Sequence, residues 1–109
     1  MFKIDPDYTC KRLVKVRVPI DGGQFRDEVF TAHFKIIGIA ESESHIEKDP
    51  QGESLLREVL VGWDNVCDKD GNALPFEGAA IDNVLNHPSA RRALVQAYTE
   101  AVTADRVKN

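Results

Sequence analysis

The stretch LVKVRVPIDGGQ, residues 13–24, decides the fold class of this chain. In its first part, β-branched residues alternate with charged residues or proline, which is the period-two pattern of a strand with one apolar face. The apolar positions are Val14, Val16, Val18 and Ile20. Asp21-Gly22-Gly23-Gln24 follows, and its glycines can adopt the positive φ that a tight hairpin turn demands. The stretch therefore predicts a strand that ends in a hairpin turn.

The residues after this turn predict the second strand of the hairpin. The apolar positions are Phe30, Ala32, Phe34 and Ile36, and they alternate with Thr31, His33 and Lys35. Pro19 has no N–H to donate to a neighbouring strand, so we expect the first strand to lie at an edge of the sheet. Because one face of the hairpin is apolar, a second layer of structure must cover it.

The second half of the chain is expected to supply this cover as helices. After a polar stretch at 41–52, residues 54–63 have the sequence SLLREVLVGW, which predicts a helix that Gly62 ends. Its apolar stripe consists of Leu55, Leu56, Val59, Leu60 and Trp63. A short helix is predicted over 79–86, and Pro88 either ends it or opens the next one. In the last helix, Arg91 and Arg92 are expected to face water, opposite the apolar stripe Ala90, Ala93, Leu94, Ala97, Tyr98, Ala101 and Val102.

These patterns together predict an α+β domain. We expect one domain of residues 1–109, in which an antiparallel β-hairpin or small sheet (1–40) packs against three to four helices in the helical half (53–109). The predicted core residues are Val14, Val16, Phe30, Phe34, Leu56, Leu60, Leu94 and Tyr98.

Charge and cysteine usage narrow the classes of partner and compartment. The net charge is −4, which argues against nucleic acid, because phosphate recognition needs clustered Lys and Arg. Residues 1–40 carry seven Lys/Arg and five Asp/Glu, whereas residues 41–109 carry seven Lys/Arg and thirteen Asp/Glu. This asymmetry indicates a charged partner or docking between the halves.

Cys10 and Cys67 are far apart and are expected to be reduced thiols. With no apolar leader and no apolar run of membrane-spanning length, we expect a cytoplasmic protein without a membrane partner.

Few residues of the sequence are candidates for catalysis or metal binding. Asp68-Lys69-Asp70-Gly71-Asn72 is similar to a calcium loop, but alignment on Gly71 puts Val66, which has no side-chain oxygen, at the first ligand position. We therefore predict a turn in which Asp and Asn side chains bond the backbone and Gly71 has a positive φ. The three histidines, His33, His45 and His87, have no His or Cys neighbour at metal-ligand spacing. His33 is expected to be an exposed strand residue and His87 to lie beside a helix start. The sequence predicts a protein without catalytic residues, cofactor or metal.

Two surface features are open to two interpretations. Lys15, Arg17 and Lys35 lie on the polar face of the hairpin, where they either protect a strand edge from aggregation or dock a partner. Trp63 and Phe76 flank the turn at 68–72, where they are either core residues or partner-binding residues, since large aromatics dominate binding hot spots.

The order of several short motifs resembles a known family. These motifs are Leu55–Asp64 (LLREVLVGWD), Asp68–Asn72 (DKDGN), Leu74–Phe76 (LPF), Pro88–Leu94 (PSARRAL) and Ala97-Tyr98. In this order they resemble the tail assembly chaperones of long-tailed bacteriophages and prophages. The hairpin sequence VPIDGG extends the resemblance over nearly the whole chain. One departure is Glu77-Gly78, where the family more often has Ser/Thr-Pro at a helix start.

The resemblance implies a function in phage or prophage tail assembly and no enzymatic activity. A chaperone of this kind holds the long tape-measure protein soluble and recruits tail-tube protein in the cytoplasm of the bacterial host, and a homo-oligomer is left open. The alternatives are a structural tail or tail-completion protein retained in the virion, and a small metal-binding module. The expected partner contacts are Trp63 and Phe76, with the outer faces of the last two helices as the second choice.

Overall fold

The computed structural model describes residues 1–103 and consists of a three-stranded antiparallel sheet and four helices. In chain order the elements are β1 (Thr9–Pro19), β2 (Phe25–Lys35), α1 (Ile39–Lys48), α2 (Glu53–Val59), β3 (Leu60–Asp64), α3 (Gly78–Asn86) and α4 (Pro88–Val102). This architecture confirms the α+β class.

The hairpin forms as its alternating pattern predicts. β1 and β2 pair antiparallel in unbroken register, from Thr9 opposite Lys35 to Pro19 opposite Phe25. In the turn between them, Gly22 and Gly23 have φ of 80° and 74°, the left-handed conformation that favours glycine. The strand order is β1-β2-β3, so β1 lies at an edge of the sheet, as the proline in it predicts.

The predicted helix over 54–63 is wrong in its second half. The helix α2 ends at Val59, and the chain continues directly as strand β3, which pairs antiparallel with β2. Gly62 does not end a helix; it lies in the strand opposite His33. A Cβ at Gly62 would come 2.8 Å from His33 Nδ1, so this glycine permits the close approach of the two strands.

The polar stretch at 41–52 contains most of a helix that the sequence did not predict, α1. None of its residues is fully buried, and Ile46 only partly packs against the core. With so little apolar surface, its sequence lacks the stripe that identifies a packed helix. Pro88 opens α4 at its first turn, which settles the alternative left open for this residue.

The core lies between one face of the sheet and the helices. All of the predicted core residues are buried: Val14, Val16, Phe30, Phe34, Leu56, Leu60, Leu94 and Tyr98. Tyr98 of α4 packs edge-on against Phe34 of β2, with ring centroids 5.4 Å apart. Its hydroxyl accepts a hydrogen bond of 3.3 Å from the Ile37 N–H, so the polar end of this side chain is satisfied.

Arg91 does not face water as the sequence predicted. Its side chain is only 19% exposed. The Nε–H donates to the Leu85 carbonyl at 2.7 Å, and Nη2 lies 3.1 Å from a Glu53 carboxylate oxygen. Arg91 therefore links α4 to the end of α3 and the start of α2, whereas the adjacent Arg92 is exposed.

Within residues 1–103, no helix combines the length and the apolar character that a membrane crossing requires.

Candidate partner-binding site

An apolar groove lies at the end of the sheet that is nearest the β1–β2 turn. The helices cover the base of the hairpin but not its tip, so burial decreases along β1 from Val14 through Val16 to the half-buried Val18. Val16, Val18 and Phe30 form the floor of a groove of about 800 Å³.

The first wall of the groove is a small hairpin of residues 66–74. Its two sides are joined by backbone hydrogen bonds from Leu74 N–H to Val66 O (2.8 Å) and from Asp68 N–H to Asn72 O (2.9 Å). The Asp68 carboxylate accepts hydrogen bonds from the backbone N–H groups of Asn72 and Asp70, each at 2.9 Å. These bonds hold the pKa of Asp68 below its usual value, and the bond from the Asn72 N–H has the largest effect. Gly71 has φ of 85°, so the turn has the conformation that its sequence predicts.

Trp63 and Phe76 lie together behind this wall. Their rings pack edge-to-face with centroids 4.9 Å apart, and Trp63 Nε1–H donates to the Leu74 carbonyl at 2.8 Å. Trp63 is only 8% exposed, so most of its surface is already used inside the protein, while Phe76 is half-buried. The hydrogen bond from Trp63 thus holds the backbone of Leu74, a residue that lines the groove. The direct partner contacts assigned to Trp63 and Phe76 stay a prediction.

The second wall comes from the junction of α3 and α4. Val84, His87 and Ala90 line it. His87 is the N-cap of α4, where its Nδ1 accepts a hydrogen bond of 3.2 Å from the Ala90 N–H, so its position beside a helix start is as predicted. Arg26 and Lys69 are also among the lining residues, so the groove combines an apolar floor with charged groups. An apolar centre with a polar border is typical of protein interfaces.

The sequence also predicts two other candidate binding faces, one on the last two helices and one on the hairpin. The outer face of α4 has a second open cleft, which is lined by Gln51 and Val95 among other residues. The outer face of the hairpin carries Leu13, which is 71% exposed, and Phe25, which is 55% exposed, next to Lys15 and Arg17. The Arg17 guanidinium lies 4.9 Å from the centre of the Phe25 ring. This basic face is therefore not purely polar.

The histidines have partners that their sequence spacing did not indicate. His33 is half-buried, not exposed as predicted, and its Nε2 lies 2.8 Å from the Asp64 carboxylate, which lowers the pKa of Asp64. His45 lies near Glu41 and Glu58, and each of the three residues offers one ligand atom within 4.8 Å of the others. This cluster has no signature in the sequence because its members come from two helices, one of which, α1, was not predicted. Cys10 and Cys67 are free thiols, as expected.

Comparisons with known proteins yield no relative. No protein-family model matches the chain, and neither the curated proteins nor the solved structures include a significant match.

Proposed function

We propose that this chain is a tail assembly chaperone of a phage or prophage, which binds the tape-measure protein and assists tail-tube assembly in the host cytoplasm. The observation that carries the proposal is the apolar groove floored by Val16, Val18 and Phe30. The proposed partner, the tape-measure protein, follows from the resemblance of the motif order to tail assembly chaperones. The proposed role is binding, without a catalytic step.

The groove suits a helical partner with an apolar stripe. An amphipathic helix can lay its apolar face in an open hydrophobic groove, and its i, i+3, i+4 and i+7 side chains then act as anchors. A tape-measure protein is a long helical chain whose apolar stripes stay unpaired until the tube surrounds it, so it is expected to aggregate when produced alone. Occupation of the groove masks such a stripe. Because tube protein has to displace the chaperone, we expect a micromolar dissociation constant, about −8 kcal/mol.

The test is co-expression with the tape-measure protein of the same phage or prophage, with the soluble fraction of that partner as the readout. We expect Val18→Asp to abolish solubilisation, because it places a charge on the half-buried floor of the groove. Leu13→Asp is the matched control, since it lies on the same strand and its side chain is exposed on the opposite face. Circular dichroism and urea melts are the check that both variants fold.

The outcomes separate the function from the site. A partner that is equally insoluble with and without this chain, with no complex on gel filtration, contradicts the chaperone proposal. Solubilisation that survives Val18→Asp but is lost in folded Phe76→Ala or Trp63→Ala variants moves the contact surface to the aromatic pair. A structural tail protein, the alternative function, would be found in purified particles by mass spectrometry, whereas a chaperone would be absent from them.

A further inference from the structure

We propose that Glu41, His45 and Glu58 form a binding site for a divalent transition metal of the zinc class. Glu41 and His45 are separated by one turn of α1, so their side chains project from the same face of that helix. Glu58 approaches from α2. The proposed site shares no residue with the groove, and the proposal does not depend on the tail-assembly function.

The geometry brings one ligand atom from each residue to a common point. The three atoms lie within 4.8 Å of one another, and His45 Nε2 is 3.9 Å from Glu58 Oε1. Zn–N and Zn–O bonds of about 2.0–2.2 Å at tetrahedral angles put neighbouring ligand atoms about 3.3 Å apart. Rotation of the glutamate side chains, one of which is exposed and the other half-buried, can supply the remaining movement.

The imidazole of His45 is already oriented for this role. Its Nδ1 lies 2.8 Å from Ser54 Oγ, and in the tautomer that carries the proton on Nδ1 it donates to this hydroxyl. In that tautomer Nε2 carries the lone pair, and it lies 3.9 Å from Glu58 Oε1. Ser54 is itself fixed, because its N–H donates to an Asp49 carboxylate oxygen at 3.1 Å. A hydrogen bond from the second ring nitrogen is the usual way in which proteins orient a metal-binding histidine.

The two carboxylate oxygens of Glu58 have different neighbours. Lys35 Nζ donates to Oε2 at 2.9 Å, while Oε1 faces His45. Lys35 thus holds the carboxylate in one orientation and leaves a monodentate ligand oxygen. With Glu41 and Glu58 ionised, Lys35 charged and His45 neutral, the cluster has a net charge of −1, which attracts a divalent cation. Lys35 also repels that cation, so we expect an affinity in the micromolar range, and not the much tighter binding of thiolate sites.

The ligand set selects the class of metal. One imidazole nitrogen with two carboxylate oxygens is a combination that zinc accepts, whereas calcium takes six to eight oxygen ligands. A site with three protein ligands leaves the fourth zinc position to water. Because the ligands come from α1 and α2, the bound metal would cross-link these two helices.

The test is calorimetric titration of the tag-free protein with ZnCl₂, together with Co²⁺ titration read by its visible absorption. We expect saturable binding of one ion per chain and a melting temperature that increases with free Zn²⁺ and returns to the starting value with EDTA. Glu41→Gln should weaken binding at least about tenfold, since even the loss of an outer partner of a ligand costs 10–100-fold. Glu43→Gln is the matched control, because it also changes an exposed glutamate of α1 but lies outside the cluster.

His45→Ala should abolish the tetrahedral Co²⁺ absorption, whereas His33→Ala should leave it intact. Absence of saturable Zn²⁺ binding below about 100 μM overturns the proposal, as does equal weakening by Glu41→Gln and Glu43→Gln. Solubilisation of the tape-measure protein by the Glu41→Gln variant is measured in parallel. Failure of the metal proposal leaves that assay unchanged, so the two proposals fail separately.

Discussion

Replacement of Arg91 by Met tests whether a residue that looks like a surface charge in the sequence holds three helices together. The substitution keeps an unbranched side chain but removes the guanidinium, which donates to the Leu85 carbonyl at 2.7 Å. Hydrogen bonds that involve a charged group contribute about 1.5–3 kcal/mol. The Glu53 ion pair, at 3.1 Å and partly exposed, adds at most about 1 kcal/mol. We therefore expect Arg91→Met to lower the free energy of unfolding by about 1.5–4 kcal/mol.

Urea unfolding followed by the fluorescence of Trp63 measures this loss, because Trp63 is the only tryptophan and is buried. Arg92→Met is the control, since the adjacent side chain is exposed and a substitution there should change stability by less than about 0.5 kcal/mol. Equal losses for the two variants would refute the reasoning. In an Arg91→Met/Glu53→Gln double-mutant cycle, a coupling energy as large as the whole Arg91 loss would show that the ion pair, and not the Leu85 carbonyl, is the main contact.

Two further predictions concern the core and the turn. Leu94→Ala should cost about 2–5 kcal/mol in urea melts, because Leu94 is fully buried, and a loss below about 0.5 kcal/mol would mean that α4 is not docked. The pKa of Asp68 is lowered in the fold, so its ionised form contributes stability above the ordinary value of 3.8, and this contribution is lost as the pH falls through the folded pKa. The stability difference between the wild type and Asp68→Asn should therefore shrink on acidification, and a difference that is independent of pH would contradict the carboxylate's role.

The hairpin could be predicted from the sequence because its information is local. Alternation of apolar and polar residues specifies both the strand and its buried face, and the paired glycines specify the turn. Residues 60–63 were assigned wrongly because the sequence Leu-Val-Gly-Trp fits a helix stripe and a strand equally well. In the fold, these residues pair with the edge of β2, whose backbone groups would otherwise be unpaired, and this pairing favours the strand. This edge is a tertiary feature that a local pattern does not contain.

The functional surfaces depend on contacts between distant parts of the chain. The groove combines the tip of the hairpin with residues 66–74 and the α3–α4 junction, and none of these segments alone has an unusual composition. The cluster of Glu41, His45 and Glu58 required α1, whose polar sequence carries no packing signal. Arg91 was misplaced because helical periodicity gives the direction of a side chain but not what a neighbouring helix brings towards it.

Two of the short motifs, Asp68–Asn72 and Leu74–Phe76, contribute Asp68, Lys69 and Leu74 to the first wall of the groove, which gives these two motifs a structural role. Trp63 is bonded to the Leu74 carbonyl and packs against Phe76, so two separated motifs meet at one contact. Asp68 and Gly71 close the turn between them. A groove binds selectively only if its walls are held in place before the partner arrives, because ordering them on binding would weaken affinity. Under the proposed function, Trp63, Asp68, Gly71 and Phe76 would therefore act chiefly by fixing the wall. Val18 and its neighbours on the floor would supply the surface that a partner helix contacts.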